Sequence, residues 1–191
     1  MNKSLAAKTK YKNSDITVIA LYQLGAALRY IHLEDVALKA AELSPKTFSW
    51  KKFPEQINLE TVRLALKNEL RLPNSRVQGS IREGWMLTSQ GLLWCLGDTT
   101  IVKNKISIEQ INKEIARFKN TETFGKILNN DSKNISDGEL KLFLRIDDYF
   151  SLRNRKERVA ALMNATVVDS SLKPVLDILK QRRIVDPEVK L

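Results

Sequence analysis

Apolar residues recur at helical spacing along most of the chain, and one short stretch breaks that rhythm. Ile16, Ile19, Ala20, Gln23, Ala27 and Tyr30 step down one face behind Asp15, a residue type that caps helix N-termini. This predicts a helix from Asp15, followed by a short extended piece at Tyr30, Ile31 and His32. A second helix is predicted over Glu34 to Leu43, with Glu34 and Asp35 placed where the helix dipole favours acids. Ser44-Pro45 ends it, because a residue before proline avoids the α region. Asn58 caps a further helix reaching about Arg71. Val77-Gln78 and Trp85-Met86-Leu87 then read as two strands joined by Gly79 to Gly84, a loop with glycine at each end. A helix opens at Thr88 and runs to Gly97.

From Asp98 onward no alternating pattern occurs. Ser107-Ile108-Glu109-Gln110 and Ser136-Asp137-Gly138-Glu139 both have the form of a capping box. Ile108, Ile111, Ile115 and Phe118 form one helical stripe, and Leu140, Phe143 and Leu144 form another. Two more helices are predicted over Leu152 to Ala165 and Ser171 to Arg183. The fold class expected is mainly α: residues 1–14 a basic arm, 15–97 a helical domain with a β-hairpin, and 98–191 an all-helical domain for dimerisation or partner docking.

The order helix, short strand, helix, helix, hairpin, helix over residues 15–97 resembles a winged-helix domain of the MarR-like and PadR-like kind. The sharpest local likeness is Trp85-Met86-Leu87-Thr88-Ser89-Gln90-Gly91, which is similar to the aromatic-x-Leu-Thr-x-x-Gly that closes the wing in those regulators. The chemistry is sensible: Leu87 is the last inward strand residue, Thr88 caps the next helix, and Gly91 lets that helix approach the hairpin. A helix-turn-helix joins its helices by a turn of about three or four residues. The longer connection from Ser44 to Ile57 predicts either a short helical turn there or a displaced second helix.

Charge narrows the class of partner. Lysine and arginine outnumber acids by 32 to 22 in 191 residues, a formal net charge of +10. So basic a chain usually meets nucleic acid, a membrane surface or an acidic partner, although many proteins carry such a charge with no specific partner. The apolar segment Ile16 to Leu28 is too short and too polar for a membrane span, and no signal peptide is expected. The single cysteine, Cys95, fits a reducing cytoplasm.

Candidate duplex-DNA contacts lie on the helix after Asn58 and on the hairpin. Turning about 100° per residue, Leu59, Val62, Leu66 and Leu70 form its expected buried side. Glu60, Thr61, Leu64, Lys67, Asn68 and Arg71 face away, with Arg63 at the margin. Lys67 and Arg71 suit phosphate, and Thr61 and Asn68 suit base edges. A solvated polar face carries the same pattern. Glu60 and Leu64 favour a protein partner. Arg76 and Arg82 are expected to reach the DNA backbone or minor groove, as the resemblance implies, with Glu83 opposing. Phe48, Trp50 and Phe53, interleaved with Lys51 and Lys52, either plug the core or stack single-stranded bases. Arg153, Arg155, Lys156 and Arg158 form a basic cluster suited to phosphate or to an acidic partner, and Lys180, Arg182 and Arg183 form another.

Little points to catalysis. One histidine and one cysteine exclude the usual zinc sites, and His32 reads as a surface or capping residue. No Gly-rich phosphate loop or hydrolase motif occurs. Asp131 with Glu139-Leu140-Lys141 superficially spells a metal-dependent nuclease, but Glu139 belongs to a capping box. The expectation is a non-enzymatic DNA-binding or architectural protein with no cofactor and no metal. It would be an accessory subunit of a bacterial DNA-processing or anti-phage defence complex, an SMC-like ATPase assembly included. Protein partner subunits are expected, and a homodimer is compatible. The alternative is a winged-helix transcriptional regulator binding duplex DNA.

Overall fold

The computed structural model describes residues 11–98, 105–129 and 132–184, and the chain divides into two units, Met1–Ser107 and Ile108–Leu191. Among the described residues the chain is mainly helical, with one two-stranded antiparallel sheet.

In the first unit α1 spans Asn13–Gln23. Asp15, the expected N-cap, instead sits at the third helical position and accepts from the Lys12 N–H at 2.8 Å. The helix also stops seven residues short of Tyr30. Gly25, at φ +78°, takes the left-handed position after the last turn, and the Gly25 and Ala26 N–H groups bond back to Tyr22 and Leu21. This reciprocal pair closes the orphan carbonyls of the helix end. The basic arm therefore ends before Asn13; residues 1–10 of it lie outside the described residues. Tyr11 is tied down, donating to Asp98 at 2.8 Å.

Helix α2 spans Leu33–Leu43, and His32 caps it by accepting from the Glu34 N–H. The long connection contains a helical turn, α3 (Pro45–Phe48), which proline starts with its φ preset. Helix α4 (Leu59–Leu70) begins at Asn58, whose side chain accepts from the Thr61 N–H at 3.2 Å. Strands β1 (Val77–Ser80) and β2 (Gly84–Leu87) form the hairpin, pairing Val77 with Leu87 and Ser80 with Gly84. Ile31 adds a third extended strand fragment, exchanging two 2.8 Å backbone bonds with Trp85. Thr88 caps α5 (Ser89–Gly97), its hydroxyl oxygen accepting from the Gly91 N–H. Gly91 is required by proximity: a Cβ there would lie 2.1 Å from the Arg76 carbonyl oxygen.

Helices α1, α2 and α4 pack together around Val18, Leu21, Tyr22, Val36, Phe48, Val62 and Leu66, all fully buried. Each such aliphatic side chain contributes about 1.5–3 kcal/mol. The buried stripe of α4 differs from expectation. Val62, Ala65, Leu66 and Glu69 form it, while Leu59 and Leu70 are each 40% exposed. By helical rotation these two leucines stand about 60–80° from Val62, at the margin of the face.

The second unit holds helix α6 (Lys105–Lys119) from Ile108 onward, α7 (Glu122–Leu128), α8 (Asp137–Leu144), α9 (Leu152–Val168) and α10 (Lys173–Gln181), with 3-10 turns at Ser132–Asn134 before α8 and Ser170–Leu172 before α10. No strand occurs here among the described residues. Ser107 lies inside α6 and so does not cap it. Ser136 and Glu139 do form a reciprocal capping box. Ile111, Ile115, Phe118, Leu140, Phe143 and Leu144 are buried, with Phe118 stacked on Phe143 at 4.9 Å between ring centroids. Arg117 lies over Phe118 and donates to the Phe143 carbonyl at 3.0 Å, closing the end of α8.

Candidate nucleic-acid interface

Helix α4 positions most of the expected DNA-contacting residues. Its buried stripe fixes the rotation, so Glu60, Leu64, Lys67 and Arg71 run along the centre of the outward face. Thr61 and Asn68 flank that line on one side and Arg63 on the other. Lys67, Asn68 and Arg71 are exposed, Thr61 is half-buried, and Leu64 is 46% exposed. The helix thus brings together two cations, two hydrogen-bonding side chains and one bare leucine.

Two arginines behave differently from the rest. Arg63 is held by Glu60 one turn earlier: its Nε donates to Oε2 at 2.6 Å, and Nη2 meets Oε1. That pairing holds the Glu60 carboxyl below the usual carboxylate range. Arg76 is the clear departure from expectation. Its guanidinium is directed inward, bonded to Glu69 and to Asp15 and lying 4.4 Å over the Trp94 ring. The side chain is 14% exposed. It joins α1, α4 and α5 at the start of β1 and is not available to DNA. Arg82 stands exposed in the turn between β1 and β2, beside exposed Ile81 and half-buried Glu83.

The aromatic connection divides its residues. Phe48 is fully buried in the core, whereas Trp50 and Phe53 are 53% and 51% exposed. The loop that carries them is closed at its base: Ser49 bridges Ile57, Trp50 N–H donates to Gln56 at 3.0 Å, and Asn58 N–H donates to Phe48 at 2.7 Å.

The basic cluster on α9 is compact in sequence and divided in space. At about 100° per residue, Arg153 and Lys156 share one face while Arg155 and Arg158 share the opposite one. Arg153 is exposed and the other three are half-buried; Arg155 donates to the Asp148 carbonyl at 2.8 Å. Arg182 also has local work, bonding the Ile135 carbonyl and pairing with Asp137 at 3.3 Å.

The groups that superficially suggested chemistry are occupied locally. Glu139 accepts from the Ser136 N–H and hydroxyl and pairs with Lys126 at 2.7 Å, which pulls its carboxyl down to about 2. Lys141 pairs with Asp148 at 2.6 Å, and Asp131 lies outside the described residues. Burial pushes the Cys95 thiol up to about 12, so it stays protonated and unreactive at neutral pH. Among the described residues no three His, Cys, Asp or Glu side chains converge on a metal-sized space, and no helix is long and apolar enough to cross a membrane.

No protein-family model, curated protein or solved structure matches the chain.

Proposed function

We propose that the protein is a winged-helix DNA-binding subunit with no enzymatic role of its own, serving a larger DNA-processing assembly. The observation that carries this reading is the outward face of α4. Lys67 and Arg71 stand one turn apart beside Asn68 and Thr61, on the helix that precedes the hairpin. In a winged helix that helix enters the major groove, cations meet phosphate, and short polar side chains meet base edges. Arg82 at the hairpin turn supplies a further backbone contact. The net charge of +10 supports approach to a polyanion.

The same face favours a second use. Leu64 is bare at its centre, and the Glu60 carboxylate repels phosphate. Both suit docking onto a protein, with one face of the α9 cations, Arg153 with Lys156 or Arg155 with Arg158, as further partner contacts. A subunit uses both modes when it touches DNA and its neighbours together.

The test is duplex binding by the full chain over a range of salt concentrations. Lys67→Ala, Arg71→Ala and Arg82→Ala should each weaken all sequences alike and reduce the salt slope by about 0.9. Asn68→Ala should instead relax the preference at one base pair, by about 1–3 kcal/mol. Unchanged affinity and slope in Lys67→Ala and Arg71→Ala, with loss of a co-purifying protein in Leu64→Ala, would overturn DNA binding and leave docking.

A further inference from the structure

We propose that the groove between α3, the closed loop 49–57 and the first turn of α4 binds single-stranded nucleic acid, with unpaired bases stacking on Trp50 and Phe53. This is a second site, centred on the loop, that shares Thr61 with the duplex-facing side of α4 but none of its cations, and it stands whether or not that stripe binds DNA. Trp50, Phe53, Lys46, Lys51, Lys52 and Thr61 line a groove of about 430 Å³. That volume falls within the about 300–1,000 Å³ typical of small-ligand pockets, enough for a nucleotide.

Three observations point to this occupant. First, the aromatics are exposed on a braced loop. Phe48, two residues before Trp50, is fully buried, so the core had access to this segment and left Trp50 and Phe53 half in solvent. The Ser49–Ile57 bridge and the Trp50–Gln56 and Gln56–Phe53 backbone bonds hold the loop shut. Exposed rings on such a loop offer a stacking surface with little left to order on binding. Second, the charge is of one sign. No acid lines the groove, and among the described residues no carboxylate pairs with Lys46, Lys51 or Lys52. Third, polar atoms sit at the rim. The Asn58 side-chain Oδ1 accepts from the Thr61 N–H, which leaves the side-chain Nδ2 as the group free to donate. Aromatic faces bounded by cations are the arrangement that holds unpaired bases and their phosphates without reading sequence. Duplex DNA keeps its bases stacked and offers those rings no face.

The probe is a fluorescein-labelled oligothymidylate of roughly 12 nucleotides, within the range one such site covers. It is titrated onto the full chain and followed by anisotropy and by tryptophan emission. Trp85 is 1% exposed and Trp94 lies under Arg76, so quenching by thymidylate reports mainly on Trp50. The expected result is binding with quenching, lost in Trp50→Leu together with about a tenfold or greater drop in affinity. Lys51→Ala and Lys52→Ala should each lower the salt slope by about 0.7. An unchanged circular dichroism spectrum and melting temperature in Trp50→Leu would show that the fold is intact. The proposal is overturned if thymidylate does not bind, if Trp50→Leu binds as tightly, or if polyglutamate quenches Trp50 at lower concentration than thymidylate. Lys67→Ala and Arg71→Ala separate the two sites. Loss of duplex binding with thymidylate binding intact supports two independent surfaces. Equal loss of both ligands would overturn the separate groove.

Discussion

Arg76 grips Glu69 with two parallel hydrogen bonds, Nε to Oε1 and Nη2 to Oε2, each 2.7 Å, where Glu69 is only 1% exposed. The Arg76 backbone N–H adds a third bond to Oε1 at 3.3 Å, and Nη2 also reaches Asp15 at 2.8 Å. One guanidinium thereby locks the C-terminal half of α4 to the start of α1 and to the hairpin. The pair adds Glu69 to Val62, Ala65 and Leu66 in the buried stripe whose rotation turns Lys67 and Arg71 outward.

Removing one partner of such a pair leaves a buried charge uncompensated. Arg76→Leu should therefore lose about 3–5 kcal/mol of stability at neutral pH, measured by urea unfolding. The double substitution Glu69→Leu with Arg76→Leu should recover much of that. The pair also sets a pH dependence. Arg76 holds the Glu69 carboxyl below its ordinary range, so its stabilisation is complete above the unfolded value of about 4.3. It is lost as pH falls through the depressed folded value. In Arg76→Leu the unpaired carboxyl is instead pushed up by burial and neutralises early. The gap between wild type and variant should be widest near pH 7 and narrow below pH of about 4. A gap that grows on acidification would contradict the role given to Glu69.

Gly91 makes the second prediction. Its α-carbon packs against the start of β1 so closely that a methyl group would sit 2.1 Å from the Arg76 carbonyl oxygen. The obstacle is backbone, not a side chain that can swing away. Gly91→Ala should cost about 1–3 kcal/mol. Gly125, inside α7, is the control: nothing lies within 4 Å of its added Cβ. Gly125→Ala should be neutral or stabilise by up to about 1 kcal/mol, the helix-propensity difference. Thermal unfolding of the two variants side by side checks both. Equal effects would mean that Gly91 is not there to permit close approach.

Local signals in the sequence were legible and long-range ones were not. Asn58, Thr88 and Ser136 cap helices because their side chains reach a backbone N–H three residues on, so the sequence alone announces them. The predicted α1 overruns the true end because Ala26 and Ala27 favour helix, while one glycine in the left-handed region outweighs them. Helix α7 leaves little periodic signal because Gly125 interrupts its pattern, although Thr121 caps it and Glu122 stands in its first turn. Nothing in the residue pattern places Glu69, and its burial makes sense only beside Arg76, seven positions away in sequence. That partnership also removed Arg76 from the expected DNA contacts. The α9 cations looked like one patch because sequence proximity hides the turn of the helix. Which of Phe48, Trp50 and Phe53 enters the core depended on how loop 49–57 closes, and the pattern of residue types held no information on that.

The second unit has its own acid-sensitive point. Glu139 and Asp169 both have carboxyls drawn down to about 2, by Lys126 with Ser136 and by Lys119 with Ser171 respectively. Both contributions are present above the ordinary carboxylate range and fade as pH falls toward 2. Ser136→Ala removes the hydroxyl that accepts from the Glu139 N–H and should cost about 1 kcal/mol. Glu139→Gln should lower the melting temperature at pH 7 and have a much smaller effect at a pH of about 2, where the wild-type carboxyl is about half protonated. A substitution effect that is the same at both pH values would show that the Glu139 charge is not what matters.

Glu60 offers the sharpest test of what α4 faces. Its carboxylate lies on the centre line of the outward stripe and holds Arg63 in a bidentate grip. If that stripe meets phosphate, Glu60 works against binding twice, by direct repulsion and by neutralising Arg63. Glu60→Gln should then tighten duplex binding by several-fold at low salt. It should also steepen the salt slope by about one, since one more cation becomes available to displace a counterion. Arg63→Ala in the wild-type background should change affinity little, because Arg63 is already neutralised there. Combined with Glu60→Gln it should abolish the gain. The pattern is one that a protein-docking face would not produce. There the rim charges matter little and Leu64→Ala carries the loss, about 2 kcal/mol or more. Fluorescence anisotropy on one duplex, at two salt concentrations and with these four variants, decides between them. A Glu60→Gln protein that binds no tighter than wild type would mean that DNA does not lie against this helix.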